Sequence, residues 1–391
     1  MPLVRRSSVL ALVLGIFIFA LLFHNTRNNN SFFWEQPYLA SQDGPLYNPS
    51  LFFPGTPKPA GENYTRVLVM ARLSTEDTSW LDRDLPDLPK KIYTVDAPDF
   101  APKGDEAMAY LTYIIDHYDS LPDIVLFFHH SSKTDGRTNN VALDNDTAIT
   151  IKLLSDAHVM RQGYFNTRCH WDPGCPDWLH VDRPRRQYDL LRKPQEPALT
   201  SSLFHDLFGA GVSIPRSISQ PCGAQFAVSG QRIRQRPLHD YMHYRNWLLR
   251  TSSASLSTPL RNDNDTLASG SGSSSILEYA WQYVFAGVFE FCPPTHRCYC
   301  DGYGLCFEGG ARGLRAWLDA RTEKAGLDEH LRALWAAGDR GGSDAFRRLK
   351  NRSGELGREL DRARERALRR GFDPQTRAAA CGREWREGDG F

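Results

Sequence analysis

Three short apolar runs in the first third of the chain predict buried strands. They cover residues 67–71, 91–95 and 124–128, and turn-forming residues flank them. A short apolar run with such boundaries is typical of a strand that is buried on both faces. Between the second and third runs, residues 104–118 place apolar side chains at helical spacing along one face. This alternation of strands and helices predicts a wound, mostly parallel α/β sheet with flanking helices.

The rest of the chain adds further helices and two polar segments. The pattern predicts a helix over residues 147–160, a short strand over 225–228 and an apolar helix over 276–289. Residues 251–275 are rich in Ser, Gly, Asn and Thr, which is typical of a disordered loop. From residue 311 onward, an Arg-rich segment with helical spacing predicts a helical tail. We therefore expect an α/β domain over residues 65–310 and a tail over 311–391.

The N-terminal segment has a pattern typical of a membrane anchor or a signal peptide. Two arginines precede an apolar run over residues 9–23. The run is near the lower end of the length that spans a bilayer, and it also fits the apolar region of a cleaved signal peptide. Because no small-residue cleavage site follows, the pattern favours a membrane anchor over residues 8–24, with a cytosolic tail over 1–7 and a stem over 25–64. These features predict a single-span type II membrane protein of the Golgi or ER with a luminal domain.

Cysteines and glycosylation sequons agree with an oxidising compartment. The chain has eight cysteines, and an even number in such a compartment favours disulfides. Zinc is the alternative for the cluster of four near residue 300, but its C-x5-C-x-C-x5-C spacing differs from zinc patterns. The predicted disulfide cysteines are Cys169, Cys175, Cys292, Cys298, Cys300 and Cys306. The sequons predict glycosylation at Asn29, Asn63, Asn145, Asn264 and Asn351.

Charge and motifs exclude several classes of function. The formal net charge is +1, and no basic-aromatic stripe is present, so we expect no nucleic-acid partner. The chain also has no Gly-rich phosphate loop, no nucleophile elbow and no H-E-x-x-H zinc helix. Hydrolases that depend on those signatures are therefore not supported.

The candidate site lies at the end of the third predicted strand. His129 and His130 follow that strand, and ligands of open α/β sheets bind beyond the carboxyl ends of strands. Neighbouring strand residues point to opposite faces, so we expect at most one of the two histidines to face the site. A histidine there can hold a metal or stabilise a phosphate, and the alternative is a backbone hydrogen bond. Glu278 is a candidate general base or a structural carboxylate, and Arg232 is a candidate phosphate ligand or a solvated charge.

Several sequence blocks occur in one order. They include VLVMAR, EDTSWL, LPDIVLFFHH, GYFNTRC, CGAQFAVSGQRIRQRP and LEYAWQYVF. In this order they resemble a fungal family of single-pass membrane proteins, the domain of unknown function 3431. The resemblance runs from about Arg66 to Cys306. It adds little about mechanism, because the function of the family is unknown.

A weaker resemblance concerns function. The strand ending in Ala-Arg, the helix beginning Gly-x-Glu and the strand ending in His are similar to rhamnan-synthesis-type glycosyltransferase domains. This resemblance implies a glycosyltransferase-like fold, a nucleotide sugar, a glycan or metabolite acceptor, and a divalent metal such as Mn2+. It places Arg72, Glu76 and Asp77 near the nucleotide, Gly104 and Glu106 near the sugar, and His129 or His130 at the metal position. The alternative is a non-catalytic, membrane-tethered binding or assembly protein with a degenerate form of this fold.

Overall fold

The computed structural model describes residues 55–97, 106–132, 140–182, 199–256 and 276–387. The predicted cytosolic tail, the anchor over residues 8–24 and most of the stem lie outside these ranges. Within them, no helix combines the length and the apolar character needed to cross a membrane. The expectation of a single membrane span is therefore not supported by any described helix.

Five strands form one mixed sheet in the order β2–β1–β3–β5–β4. The strands are β1 (Arg66–Arg72), β2 (Lys90–Thr94), β3 (Ile124–His129), β4 (Tyr164–Asn166) and β5 (Phe226–Ser229). β1 pairs in parallel with β2 and with β3, whereas β5 pairs antiparallel with both β3 and β4. The predicted strands near residues 67, 91 and 124 are confirmed, but the expectation of a mostly parallel sheet is wrong.

A close backbone contact explains the direction of β5. A Cβ atom at Gly230, directly after β5, would lie 2.2 Å from the carbonyl oxygen of Pro122. The Gly230 N–H also donates a hydrogen bond of 2.8 Å to the carbonyl of Asp123. This contact holds the end of β5 against the start of β3, so the two strands run in opposite directions. An apolar run predicts burial but carries no direction, which is why the sequence pattern missed this feature.

Helices flank the sheet and extend beyond it. They are α1 (Trp80–Asp84), α2 (Glu106–Asp116), α3 (Thr147–Leu153), α4 (Asp156–Gln162), α5 (Ser201–Phe208), α6 (Gly230–Arg234), α7 (Leu238–Leu256), α8 (Trp281–Ala286), α9 (Thr295–Arg297), α10 (Ala311–Ala336), α11 (Asp344–Gly371) and α12 (Pro374–Ala380). Short 3-10 turns cover Tyr118–Ser120 and Val141–Leu143, and a π-helical turn covers Cys298–Gly302.

Three predicted segments differ in their boundaries, and within the helix predicted over residues 276–289 the helix α8 covers Trp281–Ala286. The helix predicted over residues 147–160 is divided into α3 and α4. Leu154 is extended, and the Ser155 side chain caps α4 by accepting a hydrogen bond from the His158 N–H. In addition, α7 continues to Leu256, which is six residues into the predicted loop over 251–275. Residues 257–275 lie outside the described ranges.

Apolar side chains form a separate core on each face of the sheet. Phe127 of β3 packs in one core with Tyr110 of α2 and Trp281 of α8, and the Tyr110 and Phe127 ring centroids are 4.7 Å apart. Leu126, its neighbour in β3, packs in the other core with Trp317 of α10. This alternation follows the two-residue period of a strand. The Arg-rich tail therefore supplies part of the second core.

Three disulfides join cysteines of the described residues, and two of them connect distant parts of the chain. They are Cys169–Cys298, Cys175–Cys292 and Cys300–Cys306, and these are the six cysteines predicted to form disulfides. The first two connect residues 129 and 117 positions apart and attach the segment over 292–306 to the loop after β4. Cys222 and Cys381 lie outside these bridges.

Three of the predicted glycosylation sequons lie within the described residues. Asn63 is exposed, Asn351 is exposed within α11, and Asn145 is half-buried. Asn29 and Asn264 lie outside the described ranges. Glycosylation at these positions stays a prediction.

A buried carboxylate attaches the C-terminal segment to the domain. Asp301 accepts hydrogen bonds from His158 Nδ1 at 2.9 Å and from Arg383 Nη2 at 2.6 Å, and Arg161 Nη2 lies 3.4 Å away. Arg377 of α12 donates to the Asp301 backbone carbonyl at 2.6 Å. Burial opposes ionisation of Asp301, but the contacts with His158 and the two guanidinium groups outweigh it and hold its pKa well below the usual value. Burial lowers the pKa of His158, so this imidazole is neutral near pH 7.

Removal of a long-range disulfide should cost more stability than removal of the short one. In the chain-entropy account, opening Cys169–Cys298 by double Ser substitution lowers the free energy of unfolding by about 3 kcal/mol, because Cys175–Cys292 already closes most of that loop, and opening Cys300–Cys306 lowers it by about 2 kcal/mol. Urea unfolding of both double variants measures the difference. Equal losses, or a greater loss for the short loop, would contradict the expectation.

Asp301→Asn should destabilise the fold strongly near pH 7. It leaves the partly buried Arg161 and Arg383 without their counter-charge, which costs about 3 kcal/mol, the lower end of the range for buried pairs. The exposed Asp319→Asn is the matched control and should change stability by less than about 0.5 kcal/mol.

The pH dependence of this effect has a definite sign. The folded-state pKa of Asp301 is lowered, so its contribution is present above the unfolded-state pKa of about 3.9 and is lost as the pH falls through the folded-state pKa. The stability difference between the native protein and Asp301→Asn should therefore shrink below about pH 4. A difference that stays constant between pH 7 and pH 2.5 would contradict this assignment; urea unfolding at each pH measures it.

Candidate functional site

The order of the parallel strands defines a crevice at one edge of the sheet. The chain passes from β1 to β2 on one side of β1, and then to β3 on the other side. Connections that leave in opposite directions open a crevice at the carboxyl ends of the two strands, where α/β proteins bind ligands. The loop over residues 73–79 and the residues that follow β3 meet at this edge.

Glu76 and His130 connect these two loops. His130 Nδ1 lies 3.1 Å from Glu76 Oε2, and the same oxygen accepts the Leu73 N–H at 2.7 Å. The Trp80 indole N–H donates to the His130 carbonyl at 2.8 Å. Because a carboxylate accepts the bond, Nδ1 is the protonated nitrogen of the His130 ring. Both side chains are partly exposed, so this carboxylate–imidazole pair is accessible from the crevice.

Arg72 and Asp77 organise the loop that contains Glu76. Arg72 donates from Nη1 to the Glu76 carbonyl at 3.1 Å and from Nε to Thr94 Oγ1 at 3.4 Å. Asp77 accepts the Ser79 N–H at 2.9 Å and the Ser79 hydroxyl at 3.0 Å, and these bonds lower its pKa. Asp77 is exposed and holds the turn that precedes α1. The structure therefore brings Arg72, Glu76 and His130 together, with Asp77 in a local turn beside them.

His129 and Glu278 are brought together by Gly223. His129 Nε2 donates to the Gly223 carbonyl at 2.7 Å, and the Gly223 N–H donates to Glu278 Oε1. Gln220 donates from its side-chain amide to the Glu278 carbonyl, and its own Oε1 accepts the Tyr164 hydroxyl at 2.7 Å. Both the backbone and the side chain of Glu278 are therefore held by the segment over residues 220–223.

The backbone at Gly223 requires glycine. Its φ angle is +121°, in a region that side chains other than glycine rarely adopt. The following residue, Ala224, also has a positive φ of 38°. This turn directs the Gly223 carbonyl at His129 and its N–H at Glu278. The sequence analysis did not single out Gly223; a Cys-Gly pair just before a predicted strand was the available signal.

The remaining predicted site residues have different positions. Glu106 begins α2, whose first turn follows the loop after β2 and so belongs to the same edge. Gly104 lies outside the described residues. Arg232 lies at the opposite edge, because Ser229 at the end of β5 pairs with Ile124 at the start of β3. There Arg232 donates to Gln235 Oε1 at 2.6 Å, and burial lowers its pKa.

The side chains at the crevice offer few ligands for the predicted metal ion. The described ranges contain no group of three His, Cys, Asp or Glu side chains with the geometry to hold a metal ion. Glu76 and His130 could supply two ligands, although each already contacts the other. A requirement for Mn2+ stays a prediction, and no step below depends on it.

Comparison with known proteins identifies the family. The model of a family described as "Protein of unknown function (DUF3431)" matches residues 68–301, which is more than half of the chain. The chain therefore belongs to this family. The matched range begins at the third residue of β1 and contains the other four strands. It also includes His129, His130 and Glu278. No curated protein and no solved structure matches the chain.

Gly223→Ala should disturb the site as well as the backbone. We expect a loss of about 1–2 kcal/mol from the positive φ angle, and a displaced contact with His129. Gly61→Ala is the matched control, because Gly61 has φ +92° and open space around it. Thermal unfolding and the NMR signals of the His129 ring measure the two effects. Unmoved His129 signals in a folded Gly223→Ala protein would contradict the assigned contact.

Proposed function

We propose that this protein transfers a glycosyl group from a nucleotide sugar to an acceptor hydroxyl on a glycan or metabolite. One observation carries the proposal. The Glu76–His130 pair and the His129–Gly223–Glu278 chain of hydrogen bonds both lie at the carboxyl edge of the parallel strands. Carboxylate and imidazole groups at this edge suit acid–base work on a bound nucleotide substrate. The three disulfides support an oxidising compartment such as the lumen of the Golgi or ER.

Glycosyl transfer needs a base for the acceptor and a partner for the leaving diphosphate. Glu278 is the proposed base, since the Gly223 N–H orients its carboxylate. The acceptor oxygen forms a bond to the anomeric carbon, its proton passes to Glu278, and the bond from that carbon to the diphosphate oxygen breaks. When the His130 ring carries a proton on both nitrogens, it donates to the diphosphate through Nε2, while Nδ1 stays hydrogen-bonded to Glu76. The electron pair of the broken bond remains on the diphosphate.

The alternative is a non-catalytic binding protein with the same fold. One observation favours it: the polar groups of the crevice already bond to the protein itself. Glu76 accepts from Leu73 and contacts His130, and Gly223 provides partners for both His129 and Glu278. A carboxylate held in this way can be purely structural. Ligand binding and turnover distinguish the two functions.

Donor binding is tested by thermal shift of the full chain. A panel of nucleoside diphosphates and nucleotide sugars is added, with and without Mn2+. A ligand of the folded state adds about 2.7 kcal/mol of stability at a hundred times its dissociation constant. We expect a shift for one class of nucleotide, and we expect His130→Ala to reduce it. Absence of any shift in well-folded protein would favour the non-catalytic alternative.

Glu278→Gln should separate chemistry from binding. The amide keeps the hydrogen bond from Gly223 but cannot accept a proton, so we expect turnover to fall by about 10²–10⁴ with the nucleotide shift retained. Glu308→Gln is the control, because Glu308 is exposed and outside the crevice. Sugar transfer from the donor found in the thermal-shift panel is the measurement. Undiminished turnover in Glu278→Gln would remove Glu278 as the base.

A further inference from the structure

A buried arginine lies beside the turn that holds the candidate site. Arg168 follows β4 and is only 3% exposed. Its Nη1 lies 2.8 Å from the sulfur of Cys222 and 3.4 Å from the carbonyl oxygen of the same residue. Its Nη2 donates to the carbonyl of Asp172. The guanidinium therefore approaches the larger sulfur atom more closely than the oxygen, as expected for a charge-assisted contact.

This guanidinium has no carboxylate partner within the described part of the chain. Two other arginines with little exposure do have one: Arg66 pairs with Asp156 at 2.5 Å, and Arg383 pairs with Asp301 at 2.6 Å. The Nε of Arg168 is also buried and has no hydrogen-bond acceptor. An arginine is always protonated, and burying its charge without a counter-ion is strongly unfavourable. The ionisable group in contact with Arg168 is the Cys222 side chain.

We propose that Cys222 is a thiolate in the folded protein and is the counter-ion of Arg168. Thiolates form where a cationic side chain lies against a cysteine, and the pair neutralises an otherwise uncompensated buried charge. Cys222 is 8% exposed, so bulk solvent has little access to the sulfur. The other cysteine outside the disulfides provides a contrast, because burial and the charge of Asp301 raise the pKa of Cys381 and keep it a thiol.

The ion pair acts as a positioning device for the crevice. Cys222 directly precedes Gly223, whose carbonyl and N–H contact His129 and Glu278. The Cys222 N–H donates to the Pro173 carbonyl at 3.0 Å, so Arg168 and the loop near Pro173 fix this turn from two sides. The ionisation of Cys222 does not depend on the proposed glycosyl transfer. An experiment can therefore disprove either proposal and leave the other standing.

The test measures thiolate directly in the full chain. Cys381→Ser leaves one thiol outside the disulfides, and the far-ultraviolet absorption of thiolate is followed against pH, with the Cys381→Ser/Cys222→Ser protein subtracted. An ordinary cysteine is only a few per cent thiolate at pH 7. We expect more than tenfold higher thiolate in the native protein at that pH. In denaturant, Cys222 should titrate in the ordinary range of about pH 8.5.

Two variants of Arg168 distinguish charge from packing. Arg168→Gln should lower the thiolate fraction at pH 7 at least tenfold, whereas Arg168→Lys should retain most of it because the charge remains. Cys222→Ser should move the NMR signals of the His129 ring. A native thiolate signal no greater than that of an ordinary thiol would overturn the proposal, and so would a signal unchanged in Arg168→Gln. If Arg168→Gln does not fold, the pH titration of the native protein alone decides.

Discussion

The parallel pairing of β1 with β3 is the constraint on which the candidate site depends. It places the loop after β1 and the end of β3 at the same edge of the sheet, and Glu76 can then contact His130. β2 pairs with the other side of β1, so the connections diverge and a crevice opens between them. The apolar side chains of β3 are buried in cores on both faces, which fixes the register that this contact requires.

Contacts between segments distant in the sequence form the other half of the site. β5 runs against β3, and this direction brings the turn at Gly223 to the end of β3, beside His129. Two long-range disulfides attach the segment over residues 292–306 to the loop after β4, and that loop also contacts Cys222 through Pro173. Asp301, in the same segment, is the buried acceptor for the C-terminal arginines. The C-terminal helices are therefore part of the folded unit that supports the crevice.

The local pattern predicted the centre of the fold well. The three parallel strands and α2 lie within a few residues of their predicted positions. The reason is that the hydrophobic periodicity of a strand or helix depends on residues that are close in the sequence. β4 has three residues, too few to show a period, and was missed. The strand before Gly230 was predicted but its direction was not, since that depends on a contact with Pro122 more than a hundred residues earlier. Arg232, predicted as a phosphate ligand or a solvated charge, lies at the edge of the sheet opposite the crevice.

The sequence by itself determined which residues follow the parallel strands. His129 and His130 were predicted at the carboxyl end of the third strand, whereas Arg72 and Glu76 were placed at the site only by the resemblance to glycosyltransferase domains. It also determined which six cysteines form bridges, although not their pairing. Only the tertiary structure decided that His129 and Glu278 share Gly223 and that Arg168 faces Cys222. The physical reason is that these contacts depend on a positive φ angle and on packing between segments more than fifty residues apart, which no local pattern records.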